Sequence, residues 1–234
     1  MLFEVDERIF DRFPHAQVGI LVVDNLDNQT GSSQARYILS EAVKDTGQRI
    51  QGDALLDLGE LTAWREAYKW FGAPKRQRSS IESLLKRVQK GQDIPSINPL
   101  VDIYNAVSLR HHLPCGGEDI HHIHGPMRLT LADGDESFQT IGSDVDQPPN
   151  PGEVVYKDDR GCICRCWNWR EADRTKLTGE TTSAILFVEV LQGDQSGVLG
   201  EALDHLDQLT THLLGGTTKR FIASKDNPTW QIER

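Results

Sequence analysis

Three cysteines, two tryptophans and an arginine stand close together in the segment CICRCWNWR, residues 162–170. If the segment is a strand, cysteines at alternate positions project from one face, about 7 Å apart. Zinc sites usually take thiolates from Cys-x-x-Cys pairs, which this spacing does not provide. The pattern therefore favours a buried strand with free thiols over a metal centre, and we expect neither a metal nor another cofactor.

Five histidines, one cysteine and two acidic residues lie in a second segment, HHLPCGGEDIHHIH, residues 111–124. Histidine clusters do bind metals, but a specific site also needs groups that orient the ligands, and a sequence does not reveal those groups. We therefore expect a polar loop here rather than a metal site.

Polar residues that are costly to bury alone gather near these two segments, so they must either satisfy one another or line a pocket. The set comprises Asn105, Ser108, Arg110, Glu118, Asp119, Asn168, Arg170 and Lys176. The chain has no Gly-x-Ser-x-Gly elbow, no phosphate-binding Gly-x-x-x-x-Gly-Lys loop and no dinucleotide fingerprint. The familiar enzyme classes are therefore not indicated by motif.

The composition is that of an ordinary soluble globular protein, because 38% of the 234 residues are hydrophobic and 26% are charged. No stretch approaches the roughly 20 consecutive apolar residues of a membrane helix. The N-terminal segment MLFEVDERIF carries acids where a signal peptide would be basic. We expect a cytoplasmic protein with no membrane partner, folded as a single domain over residues 1–234.

The net charge of −10 argues against a protein that coats nucleic acid indiscriminately, since phosphate binding uses clustered lysine and arginine. One basic cluster nevertheless lies between Lys69 and Lys90, where Glu82 is the single acid. Such runs are usually solvated helix faces. If the protein binds RNA, the predicted phosphate-binding set is the densest part of this cluster: Lys75, Arg76, Arg78, Lys86 and Arg87.

Apolar spacing and capping residues predict helices in the first half of the chain and short strands after Pro114. Ser79 and Glu82 have the spacing of a capping box, and Pro99 after Asn98 suits a first helical turn. This arrangement makes the fold class α+β. The predicted helices are 33–46, 61–71, 79–91, 98–114 and 198–214, and the predicted strands are 17–23, 127–131, 137–141, 153–157, 162–169, 184–191 and 220–223.

Several of these segments together resemble a known family. The segments INPLVDIYNAVSLRHHLPCGGED and ETTSAILFVEV are similar to two blocks of the bacterial phenylalanyl-tRNA synthetase beta subunit that define its B3/B4 domain. With AWREAYKWFG, RSSIESLLKRV and CWNWREADRTKLT, they resemble the freestanding B3/B4 proteins over nearly the whole chain. The resemblance implies an α+β domain with a β-sandwich of unusual topology, flanked by helices.

In the synthetase, the B3/B4 domain removes wrongly attached tyrosine from tRNA by hydrolysing the ester bond. The resemblance implies a polar pocket here, on which Asn105, Glu118, Asn168 and Arg170 converge. Glu118 would orient the attacking water, while Asn168 and Arg170 would stabilise the developing oxyanion. The substrate-binding residues predicted in this way are Asn105, Ser108, Pro114, Gly116, Trp167 and Lys176.

The sequence departs from the synthetase pattern within this pocket. Gly116 stands where the synthetase has a pocket histidine, and the synthetase glutamate falls on Val188 or, with one gap, on Glu189. The glycine-rich pocket floor is replaced by the bulky residues 167–170. Three hypotheses follow: a trans-acting aminoacyl-tRNA editing hydrolase, a non-catalytic tRNA or amino-acid binding module, and a small-molecule binder without an RNA role. On the first hypothesis, the expected partner is tRNA, bound through its aminoacylated 3′ end.

Overall fold

Side-chain caps fix the start of two helices. Ser79 Oγ accepts a hydrogen bond from the backbone N–H of Glu82 at 3.4 Å, and Asn98 Oδ1 accepts one from Val101 at 3.1 Å. The computed structural model describes residues 1–50 and 59–233, and no helix in those ranges is long and apolar enough to cross a membrane. The helices are α1 Glu7–Arg12, α2 Ser32–Arg49, α3 Gly59–Trp70, α4 Ser80–Gln89, α5 Pro99–His111 and α6 Ser196–Leu214.

The strands form two sheets. They are β1 Leu2–Val5, β2 Gln17–Asp24, β3 Cys115–Asp119, β4 Met127–Leu131, β5 Val154–Asp158, β6 Gly161–Arg165, β7 Arg170–Glu171, β8 Ser183–Val190, β9 Thr217–Ala223 and β10 Thr229–Gln231. The larger sheet has the order β10-β1-β4-β5-β6-β7, in which only β1 and β4 pair in parallel among the described strands. The smaller sheet has the order β3-β8-β2-β9 and is antiparallel throughout.

The two sheets pack face to face around a shared apolar core. The ring of Phe187 on β8 has its centroid 5.9 Å from that of Phe3 and 5.1 Å from that of Tyr156, which both belong to the larger sheet. The other face of β8 packs with α5 and α6, where Leu186 and Val188 join a second apolar cluster. Strand β8 is therefore buried on both faces, which explains its nearly unbroken apolar sequence SAILFVEV.

The predicted α+β class is confirmed, but the predicted strand at 137–141 is wrong. Within that segment only Thr140 makes an isolated bridge, to Ala172. The backbone N–H of Phe138 instead donates to the Asp146 side chain at 2.7 Å, and its carbonyl accepts from Gln147 at 2.7 Å. The loop that follows therefore satisfies the backbone of Phe138, while Ser137 and Ile141 each make one backbone hydrogen bond, to Cys162 and Glu171, and no strand ladder forms.

The predicted strand at 162–169 is too long. Strand β6 ends at Arg165, because Cys166 and Trp167 both adopt the left-handed backbone conformation, with φ of 47° and 66°. Two consecutive residues of this kind turn the chain back, and β7 then pairs with β6. The third cysteine consequently lies in a turn and not on the strand face shared by the first two.

Residues 115–119, predicted as part of a polar loop, form β3 at the edge of the smaller sheet. The strand pairs with β8 from Cys115 opposite Val188 to Asp119 opposite Ala184. The packing favours glycine at 117, because a Cβ atom there would clash with the end of the Leu186 side chain, which would have to shift. Its two glycines contribute no side chains to packing, so the segment lacks the alternation of residue types that usually marks a strand.

Candidate functional site

One cavity lies between the two sheets where β3, β8 and the turn after β6 meet the helices α4 and α5. Its volume is about 310 Å³. Aromatic rings supply much of its wall, and three carboxyl groups reach it. The rings are Tyr104, Tyr156, Trp167, Trp169 and Phe187, and the acids are Glu118, Glu171 and Glu189.

The turn after β6 forms one side of the cavity and is anchored from outside. Trp167 is buried and meets Trp64 of α3 edge-on, with ring centroids 5.2 Å apart. The thiol of Cys166 donates a hydrogen bond to Gln77 Oε1 at 2.6 Å. Burial raises the pKa of Cys166 well above neutral pH, so its thiol stays protonated and is a poor nucleophile. This cysteine is therefore a structural anchor.

Asn168 follows in the same turn, and its side-chain amide makes three hydrogen bonds. Its Nδ2 donates to Glu189 Oε2 at 2.7 Å. Its Oδ1 accepts from the hydroxyl of Tyr68 at 3.1 Å and from the backbone N–H of Ser80 at 3.3 Å. This side chain therefore connects α3, the start of α4 and β8, and it fixes the position of a carboxyl group in the cavity wall.

Glu189 is a buried acid on an otherwise apolar strand. It accepts hydrogen bonds from the hydroxyl of Tyr156 and from the amide of Asn168. Burial raises the pKa of Glu189 to about 7, against the opposing effect of these two hydrogen bonds. The group therefore exchanges a proton near neutral pH.

Glu118 and Glu171 form a second acidic feature, on the edge strands β3 and β7. Glu118 is only 2% exposed, and burial raises its pKa well above the usual range, an effect to which the nearby charge of Glu171 adds. Burial raises the pKa of Glu171 to about 7, while a hydrogen bond from the Gly117 N–H opposes the shift. Two neighbouring carboxyl groups in this environment do not readily ionise together.

The structure brings together most of the residues predicted for the pocket and leaves three outside its wall. Those in the wall are Asn105, Gly116, Glu118, Trp167, Asn168 and Arg170. Outside it, Ser108 Oγ donates to the Leu113 carbonyl at 2.6 Å, and the Pro114 carbonyl accepts from the Glu189 N–H at 3.1 Å. Lys176 pairs with Asp173 at 2.7 Å. Ser108 and Pro114 therefore bond to the local backbone, and Lys176 forms a surface ion pair.

A shallow basic groove adjoins the cavity. Its cationic residues are Arg76, Arg78, Lys86, Arg87, Lys90 and Arg170. Four residues belong to both the groove and the cavity: Ser83, Arg87, Trp169 and Arg170. At this junction the guanidinium of Arg170 lies over the Trp169 ring, 5.3 Å from its centroid. An acidic protein therefore gathers positive charge at the mouth of its acidic cavity.

The five residues predicted for phosphate binding are not equivalent. Arg76 and Lys75 are exposed, but only Arg76 lines the basic groove, while Lys75 lines a neighbouring hollow between α3 and α4. Lys86 lines the groove but pairs with Glu82 at 2.6 Å. The groove also contains Lys90, which belongs to the same basic cluster but was not in the predicted set.

Glu171 is the main residue of the site that could not be predicted from the sequence. It lies in the charged run READRTK, where Arg170 is exposed and Asp173 forms an ion pair with Lys176. Its carboxyl group reaches the cavity because β7 folds back beside β6 after a two-residue left-handed turn. Non-glycine residues with that conformation leave no sequence signal. Tyr104 and Tyr156 lie in a predicted helix and a predicted strand, and the sequence gives no sign that they line the cavity.

Three carboxylates among the described residues lie close enough to share a metal ion: Asp133, Asp135 and Glu136. The ammonium of Lys157 pairs with Asp133 at 2.8 Å and with Glu136 at 2.7 Å. A cation of the protein itself therefore already neutralises part of this cluster. It lies outside the cavity wall and takes no part in the site described above.

Comparison with known proteins identifies the family. A family model described as the B3/4 domain matches residues 63–199, which include every residue lining the cavity. The chain belongs to the B3/4 domain family. The expected kinship with B3/B4 domain proteins is thus confirmed, and the cavity is a feature of this B3/4 domain.

A solved structure with a similar fold is the N-terminal fragment of the phenylalanyl-tRNA synthetase beta-subunit from Pyrococcus horikoshii. Its sequence is 13% identical, and the TM-score is 0.47. The alignment covers 94% of this B3/4 chain and 53% of the fragment, so the chain spans about half the length of that protein. A search of curated protein sequences found no match.

Proposed function

We propose that this B3/4 protein binds the aminoacylated 3′ end of a tRNA and hydrolyses the ester of a wrongly attached amino acid, acting in trans. The proposal rests on the junction between the basic groove and the acidic cavity. Such a ligand has phosphates next to an amino acid, and the protein has a row of cations that ends at a cavity of about 310 Å³.

Arg87 and Arg170 are the residues that join the two parts of this site. Both line the groove as well as the cavity, so a nucleotide phosphate near them leaves the adjoining acyl group at the cavity mouth. Trp169 also belongs to both and offers a face on which a terminal base can stack. The cavity is large enough to hold one amino-acid side chain.

Ester hydrolysis needs a carboxylate that orients water and a donor that stabilises the oxyanion. We assign the first role to Glu118, which is buried in the cavity wall. Of the two predicted donors we assign this role to Arg170, because the amide of Asn168 is already held by hydrogen bonds to Glu189, Tyr68 and Ser80. Asn168 then acts as a positioning residue for Glu189.

The proposal is tested by a deacylation screen over a panel of tRNAs, each charged with a non-cognate amino acid. We expect at least one pair to be hydrolysed well above the rate in water. Glu118→Gln should lower that rate by about 10²-fold or more, as expected for loss of a general base. Glu180→Gln removes an exposed carboxyl group outside the cavity and is the matched control. Equal rates for the wild type and Glu118→Gln would refute the assignment.

A non-catalytic binding module is the second candidate. The observation that favours it is the cavity lining itself, which contains no histidine among the described residues and has Gly116 at its edge strand. On this alternative, filter binding would detect a charged or uncharged tRNA with a strong dependence on salt, while every pair in the screen decays at the rate in water. The small-molecule alternative predicts no salt-dependent RNA binding.

A further inference from the structure

One carboxyl oxygen in the cavity wall lacks a partner. Glu118 Oε2 is buried and has no hydrogen-bond partner of good geometry among the described residues, although the nearby hydroxyl of Thr175, which also lacks such a partner, favours the charged form of Glu118. Its side chain is only 2% exposed and lines the cavity. A buried carboxyl oxygen without a donor is costly, so a ligand that supplies an N–H or O–H group is favoured at this position.

A second carboxyl group lies beside the first. A Cβ atom built on Gly116 would be 3.4 Å from Glu171 Oε1, so Glu171 faces the bare backbone of β3 next to Glu118. Among the described residues, neither carboxyl group has a salt-bridge partner. Arg174 acts electrostatically on Glu118, but its guanidinium is already paired with Asp158 at 2.7 Å. The pair of acids therefore lacks a dedicated cation.

We propose that the cavity recognises a primary ammonium group, which lies between the carboxylates of Glu118 and Glu171. An ammonium carries three N–H donors, enough to bond to both carboxylates at once. The aromatic wall provided by Tyr104, Trp167 and Phe187 surrounds the rest of the ligand with apolar surface and favours a cation next to it. This inference rests on the proposed function for one point only, which is that the ligand is an aminoacyl ester.

The α-ammonium of an aminoacyl ester has the chemistry that this arrangement requires. It lies two bonds from the ester carbonyl carbon, so its binding brings that carbonyl next to Glu118. It also favours ionisation of both carboxyl groups, because a positive charge replaces the proton that they hold in the empty cavity. The ligand thereby places Glu118 in the form that can accept a proton from water. An N-acylated ester lacks this charge and is excluded.

The inference is tested with small probes and without RNA. Isothermal titration calorimetry at pH 7 compares amino-acid methyl esters, which carry a free ammonium, with the same esters after N-acetylation. We expect N-acetylation to weaken binding by about 10-fold or more, as for loss of a charge-assisted hydrogen bond. Glu118→Gln and Glu171→Gln should each weaken binding of the free ester to a similar degree. Glu180→Gln is the control and should leave it unchanged.

A simple amine such as n-butylamine distinguishes two sources of the ammonium group. If the ester binds and n-butylamine does not, the site is specific for an α-ammonium next to a carbonyl. If both bind, the site accepts any primary ammonium, including that of a lysine-like side chain. Equal binding of free and N-acetylated esters would overturn the inference. So would unchanged affinity in both glutamine variants, provided that circular dichroism shows that they are folded.

The outcome for the ammonium site is separable from the outcome for hydrolysis. If the free ester binds and the glutamine variants do not bind it, but no charged tRNA is hydrolysed, the ammonium site stands and the hydrolase proposal fails. If charged tRNA is hydrolysed whether or not its amino group is acetylated, the hydrolase stands and the ammonium site fails.

Discussion

Asn168 donates a hydrogen bond to Glu189 at 2.7 Å and thereby ties the turn after β6 to the most deeply buried strand of the smaller sheet. Two further hydrogen bonds reach its Oδ1, from Tyr68 and from Ser80. The shape of the cavity on this side consequently depends on one amide group that is both a donor and an acceptor.

We predict that Asn168→Asp lowers the free energy of unfolding by about 1 to 3 kcal/mol at pH 8, because a carboxylate then replaces the donor opposite Glu189. The loss should be smaller at pH 5, where Glu189, with its pKa raised to about 7, holds a proton and can itself donate. Urea denaturation at both pH values measures the effect. Asn227→Asp, in an exposed turn, is the control, and a loss of equal size at pH 5 and pH 8 would contradict the explanation.

Glu171 should make the protein less stable as the pH rises. Its pKa in the folded protein is raised to about 7, so between about pH 4.5 and 7 the native state holds a proton that the unfolded chain has released. We predict that the difference in unfolding free energy between Glu171→Gln and the wild type increases by roughly 1 to 3 kcal/mol from pH 5 to pH 8.

Urea denaturation at half-unit steps of pH measures this difference directly. Subtraction of the wild-type curve removes the contributions of the acids with lowered pKa, such as Glu136 and Glu153, and of the half-buried His111 and His205. Glu180→Gln controls for the loss of one exposed carboxyl group. A difference that does not change with pH would show that Glu171 is not a proton-holding group in the folded state.

The basic groove makes a prediction about salt. If phosphates lie in it, combined replacement of Arg76, Arg87 and Arg170 by alanine should flatten the slope of log affinity for tRNA against log salt by roughly 2 to 3 units. The melting temperature should change little, since all three side chains are exposed. Filter binding from 50 to 300 mM KCl measures the slope. Lys225→Ala, at an exposed position outside the groove, should leave the slope unchanged.

Two adjacent glycines of β3 should respond differently to alanine. In Gly116→Ala the added methyl group would contact Glu171 Oε1 at an ordinary distance of 3.4 Å, so the fold should be kept while binding of amines weakens. In Gly117→Ala the methyl group would clash with Leu186, which should cost about 1 to 3 kcal/mol of stability. Thermal unfolding and amine titration of both variants check this. Loss of stability in Gly116→Ala would contradict it.

Helix starts and the buried strands were predictable because each has a local chemical cause. Ser79 and Asn98 cap helices through hydrogen bonds to residues three positions later, and this spacing is visible in the sequence. The sequence of β8 is apolar because both of its faces are covered. These features need no knowledge of distant parts of the chain.

The edge of the site was less predictable because its geometry is not local. Strand β3 contains two glycines, of which Gly117 lies where packing leaves no space, so its sequence resembles a loop. The left-handed pair Cys166 and Trp167 ends β6 without the glycine or asparagine that usually marks such a turn. Glu171 joins Glu118 only through that turn, and the resemblance to a family with a different pocket floor did not reveal it.

The strands that form the cavity wall differ in how deeply they are buried in the fold. Glu189 belongs to a central strand covered on both faces, where we expect amide hydrogens to exchange only when the whole protein unfolds. Glu171 belongs to a two-residue strand at the margin of the other sheet, where we expect exchange to follow local opening. A ligand that bridges the carboxyl groups of both edge strands would slow exchange at the margin and leave the centre as it was. The margin is thus the side of the cavity that adjusts to different ligands.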